Sequence, residues 1–303
     1  MKVFVTGATG FIGSAVVPEL QQAGHRVAGL ARSDAAATAL ASTGADVVRA
    51  SLDELDALRQ AAADADGVIH LAYNHDFSDI AGAARLDLAA MEALTQVLEG
   101  TGRPLVIPAG TAGLAPGRLA TERDAPDPSS PARHRVPAIE LALSFVARGV
   151  RTSVVRLAPT VHGEGDHGFI PMVIAAARRT GVSGYVGDGR NRWPAVHRLD
   201  AARLFRLALE HAQAGSILHG VGEEGVEIRS VAEAIGRGLD LPVRSITTED
   251  AAARFGPFLA AILGADVPAS SALTREMLDW KPVQPGLLAD LEKGHYFRQP
   301  QPA

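Results

Sequence analysis

Short apolar runs alternate with longer amphipathic stretches through the first half of the chain. Each apolar run ends near a turn residue, which is typical of a buried strand, and the stretches between the runs carry apolar residues at helical spacing. Strands are predicted over residues 3–7, 26–31, 45–50, 67–72, 104–109 and 152–158, and helices over 11–23, 34–43, 54–64, 79–99 and 133–148. This repeated β-α order predicts an α/β fold with a doubly wound parallel sheet.

The strict alternation stops near residue 160. Beyond it, helices are predicted over 199–213, 229–238, 248–264, 272–278 and 285–294, with one strand over 216–221. We therefore expect a first domain over 1–160, to which 197–221 returns. Residues 161–196 and 222–303 would form a smaller C-terminal substrate-binding domain.

Composition narrows the possible functions. Apolar residues make up 47% and charged residues 21% of 303 residues, as in a globular protein with a buried core. The formal net charge of −5 predicts no nucleic-acid partner and no attraction to an anionic membrane. Because cysteine is absent, disulfides, thiolate nucleophiles, cysteine-bound zinc and iron–sulfur clusters are excluded. No apolar run is long enough to cross a membrane, and the run after Lys2 is too short for a signal peptide, so a cytoplasmic protein is expected.

A glycine-rich turn, TGATGFIG over residues 6–13, follows the first strand and opens the first helix. In this context Gly7 permits the tight turn, Gly10 lets the backbone approach a pyrophosphate, and Gly13 lets the helix pack closely on the strand. The pyrophosphate would lie at the helix N-terminus, where unpaired N–H groups attract anions. We therefore predict a Rossmann-type fold rather than three turn glycines without a ligand. The predicted cofactor contacts in this turn are Gly7, Thr9, Gly10, Phe11, Ile12 and Gly13.

The end of the second strand indicates which dinucleotide binds. An acidic residue there would accept hydrogen bonds from the adenosine ribose, whereas this chain has Arg32 followed by Ser33. Arginine can hold a phosphate with two donors, and serine can add a third. The pair predicts NADP(H) as the cofactor. The alternative is a solvated Arg32 beside a Ser33 that only caps the next helix.

Further motifs resemble the extended branch of the short-chain dehydrogenase/reductase superfamily, near the nucleotide-sugar epimerases and dehydratases. The resemblance covers nearly the whole chain. It rests on TGATGFIG for TGxxGxxG, 70–72 for H-x-A, 156–159 with 161–163 for R-x-x-x-V-Y-G, 196–200 for V-H-V-x-D, and 278–282 for L-G-W-x-P. It implies that Ser51 and Leu52 lie against the adenine, with Ser51 in place of the family's usual aspartate. The other cofactor contacts that it implies are Leu71, Ala72, Tyr73 and Pro159.

The catalytic pair of that family is missing. Its members use a serine or threonine after the fifth strand and a Tyr-x-x-x-Lys further along the chain. Here Thr111 is the available hydroxyl, although Gly110 could occupy the same place, and residues 112–184 contain neither tyrosine nor lysine. The chain thus resembles atypical members that keep the cofactor motif without the active-site pair.

Four residues are candidates to replace the pair. Tyr73 follows the fourth strand at the edge where ligands collect in parallel sheets, with polar residues 74–76 after it. His162 lies at the same edge, Thr111 could hydrogen-bond a substrate oxygen, and Arg135 could supply the charge of the lysine or bind an anionic substrate. Each also has a purely structural interpretation. Tyr73 could be a packing aromatic and His162 a cleft histidine that transfers no proton. Thr111 could be a turn residue bonded to its own backbone, and Arg135 a solvated arginine.

Other polar and aromatic residues are expected to be structural. His70 would be a hydrogen-bonded core histidine, His197 and Asp200 would tie the second region to the sheet, and Trp193 and Trp280 would be core residues. The E-x-D-H motif at 164–167 fits no zinc template, so no metal is expected.

The residues favour an NADP(H)-dependent oxidoreductase that reduces a small or medium carbonyl or imine substrate without the usual Tyr–Lys acid. An iminium is attractive because it arrives already protonated. The alternatives are an epimerase or lyase with tightly bound NADP(H), and a non-catalytic NADP(H)-binding sensor or partner module. In the related family, the helices that match 79–99 and 133–148 pair across a two-fold axis, which predicts a homodimer.

Overall fold

A computed structural model of the chain describes residues 1–74, 79–127 and 134–298, without the side chains at 257 and 258. His75 and Asp76, which follow the candidate Tyr73, lie outside the described residues. The strands are β1 (Lys2–Thr6), β2 (Arg26–Ala31), β3 (Asp46–Arg49), β4 (Gly67–His70), β5 (Pro104–Gly110), β6 (Arg151–Leu157), β7 (Thr160–His162), β8 (Ser183–Val186), β9 (Arg192–His197), β10 (Ser216–Gly220), β11 (Glu223–Glu227) and β12 (Val243–Ile246).

Helices connect these strands. They are α1 (Gly13–Gln22), α2 (Asp34–Ala41), α3 (Leu55–Ala63), α4 (Ile80–Leu98), α5 (Val136–Ser144), α6 (Phe169–Thr180), α7 (Arg198–His211), α8 (Ile228–Leu239), α9 (Thr248–Phe255), α10 (Pro257–Gly264), α11 (Ala272–Leu278) and α12 (Leu287–Glu292). Short 3₁₀ helices cover Phe145–Arg148 and His295–Phe297.

Seven strands form the main sheet, in the order β10-β6-β5-β4-β1-β2-β3, and every neighbouring pair is parallel. Successive residues of β1 face opposite layers because side chains alternate along a strand. Val3 and Val5 pack with α1 and α7 on one face, while Phe4 packs with α3, α4 and α5 on the other. The sheet is therefore covered on both sides, which confirms the Rossmann-type doubly wound fold.

A third core lies in the second half of the chain. A three-stranded sheet, β11-β9-β7, and a two-stranded sheet, β12-β8, are covered by α6, α8, α10 and α12 around Trp193. Strand β10 does not belong to this region, because it pairs with β6 at the edge of the main sheet. The proposed domain division stays a prediction.

One helix prediction in the second half was wrong, and several elements there were not predicted. The single helix expected over 248–264 is divided at Gly256, whose φ of +85° lies outside the helical region, and Pro257 starts α10. Helix α6 and strands β7, β8, β9, β11 and β12 were not predicted at all. These strands are three to six residues long and pair with distant segments, so local periodicity carries little signal for them.

Asp200, which is expected from the sequence to tie the second region to the sheet, joins the segment at 283–284 to α7. The side chain is buried, and its two carboxylate oxygens accept hydrogen bonds from the backbone N–H groups of Val283 and Gln284, each at 3.0 Å. The indole N–H of Trp280 donates to the backbone carbonyl of Asp200 at 3.1 Å. Trp193 and Trp280 are 1% and 0% exposed, so both are core residues.

Within the described ranges, no helix has the length and apolarity needed to cross a membrane. Helices α4 and α5 pack against each other on the outer face of the sheet. The homodimer stays a prediction.

Replacing Asp200 with alanine is expected to destabilise the fold by about 3 kcal/mol, because two buried backbone donors lose their acceptor. Equilibrium unfolding in urea measures this loss. Asp56→Ala removes a fully exposed carboxylate on α3 and serves as the matched control, with an expected change within about 0.5 kcal/mol. Equal losses in the two variants would contradict the tethering role of Asp200.

Candidate active site

An open cleft of about 960 Å³ lies at the carboxyl edge of the main sheet. Parallel sheets bind ligands at this edge, because the loops that follow the strands converge there. All of the cofactor contacts predicted from the sequence line it, namely Gly7, Thr9, Gly10, Phe11, Ile12, Gly13, Arg32, Ser33, Ser51, Leu52, Leu71, Ala72, Tyr73 and Pro159. Two of the four candidate catalytic residues, Tyr73 and Arg135, also line it.

The glycine turn forms one wall of the cleft. Gly7 has a φ of +65°, and a Cβ atom there would lie 2.8 Å from the backbone nitrogen of Ala72. A Cβ atom on Gly13 would lie 2.0 Å from the carbonyl oxygen of Gly7. Among the described residues, the N–H groups of Phe11 and Ile12 have no backbone partner. The turn therefore presents free donors at the N-terminus of α1, where the helix dipole favours an anion.

Two arginines, Arg32 after β2 and Arg49 at the end of β3, differ in their contacts. The Arg49 guanidinium donates to the backbone carbonyl of Ser33 at 2.7 Å and pairs with Asp34. Arg32 is exposed at the cleft, and it makes no ion pair or hydrogen bond within the described part of the chain. Ser33 caps α2 by accepting from the N–H of Ala36 at 3.2 Å. Arg32 is therefore the cation that can contact a ligand at the β2 end of the cleft.

Ser51 and Leu52 lie further along the same wall. The Ser51 hydroxyl lies within hydrogen-bond reach of two carboxylates, Asp53 and, at 2.9 Å, Glu54, and can donate its one proton to either. Glu54 also accepts from the Ser51 N–H at 2.6 Å. The hydrogen bond from Ser51 lowers the pKa of the exposed Asp53 carboxyl. These bonds shape the loop, and Leu52 provides its apolar surface in the cleft.

Tyr73 and Arg135 contact each other at the opposite end of the cleft. The guanidinium carbon of Arg135 lies 4.4 Å from the centre of the Tyr73 ring. A cation over an aromatic face is attracted by the ring quadrupole. Burial raises the pKa of the Tyr73 phenol, and the negative charge of Asp87 adds to this, while the Arg135 charge opposes it. Tyr73 therefore keeps its proton at neutral pH.

A buried chain of hydrogen bonds lies behind this pair. The Thr6 hydroxyl accepts from the N–H of Ala72 at 3.0 Å and lies 2.8 Å from Nδ1 of His70. His70 Nε2 lies 3.4 Å from one oxygen of Asp87, and Arg135 Nε donates to the other oxygen at 3.3 Å. Because a carboxylate only accepts, Nε2 carries a proton in this arrangement. The expected core histidine is confirmed, since His70 is buried and bonded.

Asp87 was missed in the sequence. It is 1% exposed on the apolar face of α4, in line with Ala83, Ala90 and Leu94. Burial raises the pKa of its carboxyl, but the hydrogen bond from His70 and the charge of Arg135 outweigh burial and hold the pKa below its usual range. An acidic residue on the core-facing side of a predicted helix was the available signal, because a buried charge needs a partner.

Thr111 and His162 lie outside the cleft lining. Thr111 is 1% exposed, and its hydroxyl has no hydrogen-bond partner among the described residues. His162 is also 1% exposed, and its Nδ1 lies 3.0 Å from Asp290 of α12. Its ring packs edge-on against His197, whose own Nδ1 accepts from the N–H of Leu199 at 3.2 Å. The structure thus places both candidates in packed surroundings.

The remaining wall of the cleft comes from the loop at 163–168 and from α6. His167 packs edge-on against Phe11 at 5.6 Å between ring centres, and Phe169 and Met172 line the same wall. Arg198 ties this loop to α1, because its guanidinium donates to the Glu164 carbonyl at 2.7 Å and to the Ser14 hydroxyl at 3.0 Å. From the sequence, residues 161–196 are expected to belong to the substrate-binding region, although no motif there points to these individual contacts.

The acidic and histidine residues of the 164–167 motif do not form a metal-binding group. The Asp166 carboxylate accepts hydrogen bonds from the Tyr296 hydroxyl at 2.8 Å and from the N–H of Gly168 at 2.6 Å. Across the described ranges, no three histidine or acidic side chains converge in a way that could hold a metal ion.

Comparisons with known proteins agree with this architecture. The model of the NAD dependent epimerase/dehydratase family matches residues 3–219. An uncharacterized protein of Schizosaccharomyces pombe is 48% identical over 98% of this chain and 100% of its own length. A 4-hydroxy-2-methyl-3-oxo-4-farnesyl-3,4-dihydroquinoline-1-oxide ketoreductase of Stigmatella aurantiaca is 27% identical over 76% of this chain and 71% of its own length.

Among solved structures, MoeE5 in complex with UDP-glucose and NAD is 25% identical, with a TM-score of 0.75 and 98% of each chain covered. The match therefore extends over both the main sheet and the second region. Together with the glycine turn and the parallel sheet, these similarities show that the chain belongs to the NAD dependent epimerase/dehydratase family.

Proposed function

We propose that this protein is an NADP(H)-dependent reductase that acts on a small or medium carbonyl substrate, with an imine as the second candidate. The observation that carries the proposal is the arrangement of one continuous cleft. It joins a glycine turn and a free arginine at one end to a Tyr73–Arg135 pair at the other. Relatives support the class of reaction, since one is a ketoreductase and another was solved with NAD.

The cleft residues fit a dinucleotide. The close approach of Gly13 to Gly7 leaves no room for a side chain between α1 and β1, and the free N–H groups of Phe11 and Ile12 can hold a pyrophosphate. Leu52 offers an apolar surface for the adenine. Arg32 can bind a 2′-phosphate without giving up another partner among the described residues, which favours NADP(H) over NAD(H).

When bound, NADPH supplies a hydride to the carbonyl carbon. Tyr73 donates its proton to the carbonyl oxygen, so that the O–H bond of the phenol breaks and the O–H bond of the product alcohol forms. The phenolate then takes a proton from water. Burial raises the pKa of Tyr73, so the phenol is protonated before each turnover, as proton donation requires.

Arg135 favours a carbonyl over a protonated imine. Its positive charge at the reactive end of the cleft stabilises negative charge that develops on a carbonyl oxygen. The same charge repels an iminium. An imine substrate would therefore bind in its neutral form and, like the carbonyl, would need a proton from Tyr73.

Arg32→Gln is expected to weaken NADPH binding about 10- to 100-fold and to leave NADH binding unchanged, because only NADPH carries the 2′-phosphate. Fluorescence titration of each nucleotide measures the two dissociation constants. Arg26→Gln is the matched control, since Arg26 lies exposed at the other end of β2. Equal weakening of both nucleotides by Arg32→Gln would contradict the NADP(H) assignment.

Tyr73→Phe is expected to lower kcat for ketone reduction about 100-fold or more, because the variant lacks the proton donor. NADPH oxidation at 340 nm, followed with paired ketones and cyclic imines, gives kcat and the ketone-to-imine ratio. Tyr185→Phe in β8 removes a hydroxyl outside the cleft lining and should leave kcat unchanged. Absence of turnover in the unmodified protein, with NADPH binding intact, would instead favour a sensor or an isomerase with tightly bound cofactor.

A further inference from the structure

Asp87 is a buried charge in a position that packing alone would give to an apolar residue. It lies on the core-facing side of α4 and is 1% exposed. Burying a carboxylate costs free energy unless its oxygens are paired and hydrogen-bonded. Both oxygens are satisfied here, one by His70 and one by Arg135.

Arg135 needs this partner because of where it lies. It is the residue immediately before α5, where the positive end of the helix dipole disfavours a cation. Within the described part of the chain, Asp87 is the polar group that holds its guanidinium, and the Tyr73 ring is the surface on which that group lies. The side chain is 24% exposed, so one side of it faces the cleft.

His70 and Thr6 hold Asp87 on the side away from Arg135. His70 is fully buried on β4, and its other ring nitrogen contacts Thr6 at the end of β1. Rotation of the carboxylate away from Arg135 would also disturb its contact with His70 Nε2, which lies 3.4 Å from the other oxygen. The direction of the Arg135 guanidinium is therefore set by a chain that starts at the strand before the glycine turn.

We infer that Asp87 is a positioning residue, which holds the Arg135 cation over the Tyr73 ring so that the cation stabilises the phenolate left by proton transfer. The inference rests on the proposed reductase function. Asp87 touches neither substrate nor cofactor, because it is buried behind Arg135 and does not line the cleft.

Two neutral replacements of Asp87 distinguish positioning from charge or packing. Asp87→Asn keeps an oxygen that can accept from Arg135, whereas Asp87→Leu has a similar volume and no acceptor. Both remove the same negative charge, which by itself would lower the pKa of Tyr73. Arg135 has the larger, opposite influence on Tyr73, so its departure would raise that pKa.

The first readout does not depend on turnover. Tyrosine labelled with ¹³C at Cζ is titrated by NMR, and the Tyr73 signal is assigned among the three tyrosines by its loss in Tyr73→Phe. The expected result is a rise of the Tyr73 pKa in Asp87→Leu and in Arg135→Gln, and a fall in Asp87→Asn. A fall in both Asp87 variants would overturn the inference, because Arg135 would then stay in place without Asp87.

The second readout is a double-mutant cycle on kcat. Asp87→Leu is expected to lower kcat about 10- to 100-fold with little change in KM, and Asp87→Asn to lower it less. In an Arg135→Gln background, Asp87→Leu should cause no further loss, since its effect passes through Arg135. An equal loss in both backgrounds would show a general structural role.

Glu92→Gln is the control for the helix, since Glu92 is an exposed carboxylate on α4. Thermal unfolding of every variant separates lost stability from lost positioning. If the unmodified protein binds NADPH but reduces no substrate, the proposed function fails, and the NMR titration still decides the role of Asp87.

Discussion

The close contact between β1 and α1 determines where the cleft forms. A side chain on Gly13 would overlap the carbonyl oxygen of Gly7, so α1 can lie against the strand only because that position has no Cβ atom. The contact places the N-terminus of α1 at the carboxyl edge of the sheet, where the N–H groups of Phe11 and Ile12 have no backbone partner in the part of the chain that the structure describes. The remaining walls of the cleft come from loops that leave the same edge of the sheet after other strands.

The parallel register of the sheet also builds the end of the cleft at which Tyr73 and Arg135 lie. Thr6 lies directly opposite His70 in the pairing of β1 with β4, so their side chains meet under the glycine turn. His70 then reaches Asp87 on α4, and Asp87 reaches Arg135 before α5. One buried chain thus connects the strand that leads to the dinucleotide turn with the cation beside Tyr73.

The second region forms the wall of the cleft that faces the glycine turn. Asp200 and Trp280 fasten the last part of the chain to α7, while His162 and Asp290 join β7 to α12. Burial and the neighbouring His162 lower the pKa of His197 to about 4, so His197 stays neutral in this packed region. Arg198 follows it and holds the 163–168 loop against α1. Arg198 stands where the V-H-V-x-D pattern has valine, so these contacts of Arg198 are a departure from that pattern.

The sequence by itself determined the β-α order, the double winding of the sheet and the dinucleotide end of the cleft. Those features depend on local periodicity and on glycine spacing within one β-α-β unit. Both can be read from residues that are close together in the sequence. It also showed that the family's Tyr–Lys pair is absent, and it placed Tyr73 and Arg135 among the candidates. It could not show that Thr111 and His162 are buried outside the cleft lining, because burial depends on what packs over each residue. Only the tertiary structure revealed Asp87, whose partner Arg135 lies 48 residues away. The two meet because α4 and α5 pack side by side on the sheet, a contact between segments that no local pattern records.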